Sequence, residues 1–144
     1  MMARRVLSVL MIVLGVSAIL IGLGVFLAGP TAAMGVTEGL FSSVTGKVVP
    51  LSIRFDATGE SEMRFYAALW IAYGALLVIA ARSLTLRMAW VPPLAAVFFA
   101  GGVGRVLAWV DIGPPHPAFA GLMIIELTLP LLFLALWTVA RRTR

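Results

Sequence analysis

Four long runs of apolar residues constrain this chain more than any other feature. They cover residues 6–27, 62–81, 90–110 and 118–140. A helix rises 1.5 Å per residue, so about 20 apolar residues cross the roughly 30 Å hydrocarbon layer of a membrane. Composition agrees with spans: 62% of residues are hydrophobic and 12% charged, against about 25% charged in a soluble domain. The mean hydropathy is +1.08. The expected fold is all-α, an integral membrane four-helix bundle with a long outer loop between helices 1 and 2. Four spans leave too little chain for a separate soluble domain, so residues 1–144 are expected to form a single domain.

The first run has a rival reading. Arg4 and Arg5 precede it, and Thr31-Ala32-Ala33 resembles a signal-peptide cleavage site. A signal core runs only about 7–15 apolar residues. This run is about 22 long, enough to span a bilayer, so it is expected to be retained. Within it Gly15, Ala18 and Gly22 fall on one stripe, and such stripes let helix backbones approach closely.

The net charge is +5 and the pI about 11.1, values that also occur in nucleic-acid-binding proteins. Here the cations gather at the ends of the runs. Arg4, Arg5, Arg82, Arg87, Arg141, Arg142 and Arg144 belong to the termini and the middle turn, whereas Lys47 and Arg54 sit among acids in the other connections. Cytoplasmic loops collect Lys and Arg, so both termini are expected in the cytoplasm. The partner implied by this pattern is the lipid bilayer, not nucleic acid. Trp90 and Trp137 then fall near the inner interface and Trp109 near the outer one, as aromatic belts require.

Several chemistries find no residues. The chain has no cysteine, which excludes disulfides and thiolate metal sites. Its one histidine, His116, lies between prolines in a short loop, a poor start for a metal centre. No metal and no cofactor are expected. Nor is there a nucleophile–base pair or a nucleotide-binding loop, so no catalytic residue is assigned and the chain reads as a non-enzyme.

Residues 29–59 form the longest non-spanning segment. Ala33, Val36, Leu40, Phe41 and Val44 recur at helical spacing, with Glu38, Ser42 and Thr45 away from that stripe, which predicts a short helix lying in the interface plane. Val49, Leu51, Ile53 and Phe55 then alternate with Pro50, Ser52, Arg54 and Asp56, the period of an extended segment. These apolar sides predict a segment draped over the bundle's outer mouth; a lid is the functional alternative. The second span is expected to start at Glu62 with Ser61 as its cap. Glu62 is read as a helix-start charge and Arg64 as snorkelling to the outer interface.

The third and fourth runs carry the polar residues of interest. Arg105 follows Gly101, Gly102 and Gly104, three glycines that would let another backbone approach. Glu126 is alone in the fourth run. Counting along each span, Arg105 lies roughly 6 Å outward of the middle, Glu126 about 5 Å and Tyr66 perhaps 8 Å. A charge in the bilayer is costly and takes a partner. Arg105 and Glu126 are therefore expected to pair, with Tyr66 in hydrogen-bond reach of one of them. Pro130 cannot donate to the carbonyl four residues earlier, which is that of Glu126.

Ser61-Glu62-Met63-Arg64-Phe65-Tyr66, the Gly101-Gly102-Val103-Gly104-Arg105 motif, the Gly113–Pro115 loop and Glu126 together resemble the domain-of-unknown-function 4345 family of bacterial membrane proteins. The resemblance covers most of the chain and is weakest over residues 29–59. It implies four helices and the bacterial inner membrane as the location. It implies no activity.

The leading functional expectation is an interaction or scaffold subunit, bound to another membrane protein or to further copies of itself, in which the Arg105–Glu126–Tyr66 cluster fixes helix register. The alternative is a binding protein for a lipid-soluble ligand of lipid or quinone type, held in the outer half by Arg105, Tyr66 and Trp109. Ion transport ranks third, because it needs a chain of carboxylates or histidines across the membrane.

Overall fold

The computed structural model describes residues 2–50 and 53–142. It is all-α: α1 (Met2–Ala28), α2 (Pro30–Thr45), α3 (Ala57–Arg82), α4 (Val91–Ile112) and α5 (Pro117–Arg142), with a 3-10 turn, Met88–Trp90, leading into α4. Helices α1, α3 and α5, and α4 together with its leading turn, are long and apolar enough to cross a membrane. The short helix expected after the first span is α2. Leu51 and Ser52 of the alternating segment lie outside the described residues, as does Arg144; residues 47–50 and 53–56 have no regular secondary structure.

The helix boundaries have local causes. Gly29 both ends α1 and starts α2. Its N–H donates to Val25 O at 3.0 Å and its carbonyl accepts from Ala33 at 3.2 Å. Its φ of +88° suits glycine, and Pro30 sits at the first helical position, where proline is preorganised. Helix α3 begins a turn earlier than expected. Asp56, not Ser61, caps it: Asp56 Oδ1 accepts from the Gly59 N–H at 2.8 Å, the usual reach of a capping side chain. Pro92 and Pro93 open α4.

The chain divides into two compact units, Met1–Leu14 with Leu77–Arg144, and Gly15–Leu76. In the first, Gly102 of α4 faces Leu127 of α5, Arg105 faces Glu126, and Met88 at the head of α4 meets Trp137. Residue numbers rise on one helix as they fall on the other, so α4 and α5 are antiparallel. Leu7, Met11, Leu77, Val91 and Phe133 are fully buried in this unit. Lipid tails are as apolar as leucine, so close packing and hydrogen bonds hold such helices together, not the hydrophobic effect.

The hydrogen bonds fall where they are most needed. The last four carbonyls of a helix have no donor within it. At the end of α3, Ser8 Oγ donates to Ala81 O at 2.9 Å and Arg87 Nη1 to Ile79 O at 2.9 Å. At the end of α5, Arg4 donates to Ala140 O through Nε at 3.2 Å and Nη2 at 3.1 Å. Trp137 Nε1 donates to Met88 O at 2.9 Å.

In the second unit α1 and α3 meet through small residues. Gly15, Ala18 and Gly22 are all buried, as the stripe predicts. A β-carbon on Gly22 would come within 2.7 Å of Ile71 Cγ1 and 3.0 Å of Ala67 O. The tightest contact involves a glycine that the stripe does not include: a β-carbon on Gly74 would lie 2.5 Å from Gly15 O.

On α2 the expected stripe is split. Val36, Leu40 and Val44 are 64%, 63% and 83% exposed, while Ala33 and Phe41 are half-buried, as are Thr37, Glu38 and Ser42. An exposed apolar side is what a helix lying in the interface plane would present to lipid.

Candidate functional site

The site starts from two side chains that the antiparallel α4–α5 pair brings level. Arg105 Nε donates to Glu126 Oε2 at 2.7 Å, the length of a charge-assisted bond. The carboxylate is the only buried charged side chain among the described residues, with Glu126 4% exposed. The arginine side chain retains 34% of its exposure. Its guanidinium carbon lies 5.6 Å from the Phe119 ring centroid, within cation–π range. Phe119 precedes Glu126 by seven residues, two helical turns, and so shares its face of α5.

Glycine makes the approach possible at one position. A β-carbon on Gly102 would strike Leu127 at 2.9 Å and Glu126 Cβ at 3.1 Å. Gly101 and Gly104 do not serve this packing. A β-carbon on Gly101 would reach only Glu126 Oε2, at 4.0 Å, and one on Gly104 would meet nothing within 4 Å. Both are exposed, as are Ala108 and Trp109 one turn further on. Pro130, one turn beyond Glu126, lies inside α5 and is buried.

Tyr66 is 51% exposed, and its ring meets Phe65 edge to face at 5.6 Å; its hydroxyl has no hydrogen bond among the described residues. Trp109 is 40% exposed, so Phe119 supplies the aromatic face at Arg105. Glu62 is exposed. Arg64 pairs with Glu60 at 3.3 Å and donates through Nη1 to Phe26 O near the end of α1. Gly29 adjoins this contact: a β-carbon there would lie 3.0 Å from Arg64 Nη2 and 3.1 Å from Glu60 Oε2.

Two side chains escaped the sequence reading, and each left a trace. Glu60 stands four residues before Arg64, the spacing of a helical ion pair. Phe119 stands two turns before Glu126. Neither spacing by itself marks a contact in a sequence.

Chemically, the arrangement offers one guanidinium with most of its donors unused. Arginine carries five N–H donors, and here only Nε is hydrogen-bonded among the described residues. No group of His, Cys, Asp and Glu able to hold a metal ion occurs among the described residues.

The family with the description "Domain of unknown function (DUF4345)" matches the chain over residues 6–137, and the chain belongs to it. No curated protein and no solved structure matches the chain.

Proposed function

We propose that this member of the family is a non-enzymatic interaction subunit of the bacterial inner membrane, whose α4 binds a helix of a partner protein or of a second copy. The observation that carries this reading is the strip of Gly101, Gly104 and Ala108, all exposed, beside the half-buried Arg105. Among the described residues a β-carbon on Gly104 would meet nothing within 4 Å and one on Gly101 only Glu126 Oε2 at 4.0 Å, next to a cation with unused donors. Small residues allow a helix to come close. A carboxylate or a loosened backbone carbonyl on that helix would then take the free Arg105 N–H groups, satisfying them in a medium that offers no water. Glu126 holds the guanidinium in place and keeps the local charge near neutral until the partner arrives.

A photo-crosslinking amino acid at position 108, followed by native mass spectrometry of gently extracted protein, tests this. The expected product is a stoichiometric protein adduct. Gly104→Leu should abolish it without lowering the melting temperature, because no described residue lies within 4 Å of a β-carbon at that position. Crosslinking of position 108 to a lipid or quinone, with no protein adduct, would overturn the proposal in favour of the lipid-soluble-ligand reading.

A further inference from the structure

One end of the first unit gathers Arg4, Arg5, Arg82, Arg87, Arg141 and Arg142, while residues 1–37, 78–97 and 130–144 contain no Asp or Glu. Two of these cations serve the backbone: Arg4 bonds Ala140 O and Arg87 bonds Ile79 O. Arg141 is held differently. Its guanidinium carbon lies 4.5 Å from the Trp137 ring centroid, and that ring is fixed by its own bond to Met88 O. Beside the stack opens a cavity of about 400 Å³ lined by Met88, Ala89, Trp137 and Arg141. A second, of about 380 Å³, shares Trp137 and Arg141 and reaches Arg142.

We propose that this cavity binds one anionic phospholipid, its headgroup phosphate accepting from Arg141 and Arg142. The first part of its acyl chain would lie along Met88, Ala89 and the Trp137 ring. Three observations select this occupant. The cations have no acidic neighbour in sequence, so charge complementarity calls for an anion. The wall next to them is apolar and aromatic, which inorganic phosphate would not use. The cavity sits at the ends of membrane-crossing helices, where the surroundings are lipid headgroups and where tryptophan and basic pockets engage them.

The test uses the full chain in neutral detergent, stripped of lipid and titrated with phosphatidylglycerol or phosphatidylcholine under native mass spectrometry. One phosphatidylglycerol adduct is expected, with phosphatidylcholine about tenfold weaker or more. Arg141→Gln should weaken the adduct roughly fivefold. Arg5→Gln, which removes the same charge from a residue that does not line the cavity, should change it by less than about twofold. Ala89→Phe fills the cavity with every charge in place and should abolish the adduct; it decides the matter if Arg141→Gln does not fold. Inorganic phosphate at millimolar concentration should not displace the lipid. Equal weakening by Arg5→Gln and Arg141→Gln would reduce the effect to diffuse attraction and overturn the site. Full binding by Ala89→Phe would overturn its location, and displacement by inorganic phosphate would overturn the lipid as its ligand.

Discussion

Arg105 and Glu126 depend on each other. Removing one partner of a buried pair strands the other charge, which typically costs about 3–5 kcal/mol. Glu126 is the deeply buried member, 4% exposed, so Arg105→Leu should be the harsher single change. Arg105→Leu with Glu126→Leu should recover most of the loss in a thermal unfolding assay in detergent. A double variant no more stable than Arg105→Leu alone would mean the pair is not what holds α4 against α5. The pair was legible in the sequence because each span holds one deep charge, of opposite sign and at matching depth. Depth gives height along a helix but not the side on which a residue points, so by itself it does not bring Tyr66, which is 51% exposed, to the pair. Phe119 went unread because one phenylalanine among many apolar residues carries no mark of its neighbour.

At the scale of the helices, contact between α1 and α3 turns on glycine. Gly74→Ala would push a methyl group against Gly15 O, a backbone atom, and overpacking of this kind typically costs about 1–3 kcal/mol. Gly104→Ala should cost nothing, and alanine's better helix propensity favours it by up to about 1 kcal/mol. Melting temperatures of the two variants in the same detergent check this; equal losses would contradict the assigned contacts. The stripe on α1 was visible as Gly15, Ala18 and Gly22, but α3 answers it with Gly74, Ile71 and Ala67, and one glycine among larger residues makes no small-residue periodicity. The start of α3 was misplaced for a related reason. Ser61 and Asp56 are both good caps by residue type, and the choice was made by which side chain reaches an amide three residues on.

For the molecule as a whole, the all-α class was legible from hydropathy, because in four apolar runs long enough to cross a bilayer each segment satisfies its own backbone polar groups only as a helix. The course of residues 29–59 was only half legible. The periodicity gave the helix α2, but which of its sides turns inward depends on what surrounds it, and periodicity does not report that. Orientation can be measured directly, since the chain has no cysteine to remove. Single cysteines at Gly46 and Arg142 should label oppositely in intact spheroplasts, Gly46 from outside and Arg142 only after lysis; equal outside labelling would reject a cytoplasmic arginine-rich end. The bond from Arg4 to Ala140 O bridges 136 positions of sequence, and this has a consequence for biosynthesis. The arginine of α1 is made before the last turn of α5, and the two can meet only once synthesis has advanced those 136 positions. Until then the Arg4 guanidinium donates to water or lipid instead, and the final turn of α5 is closed by a helix that has long been in place.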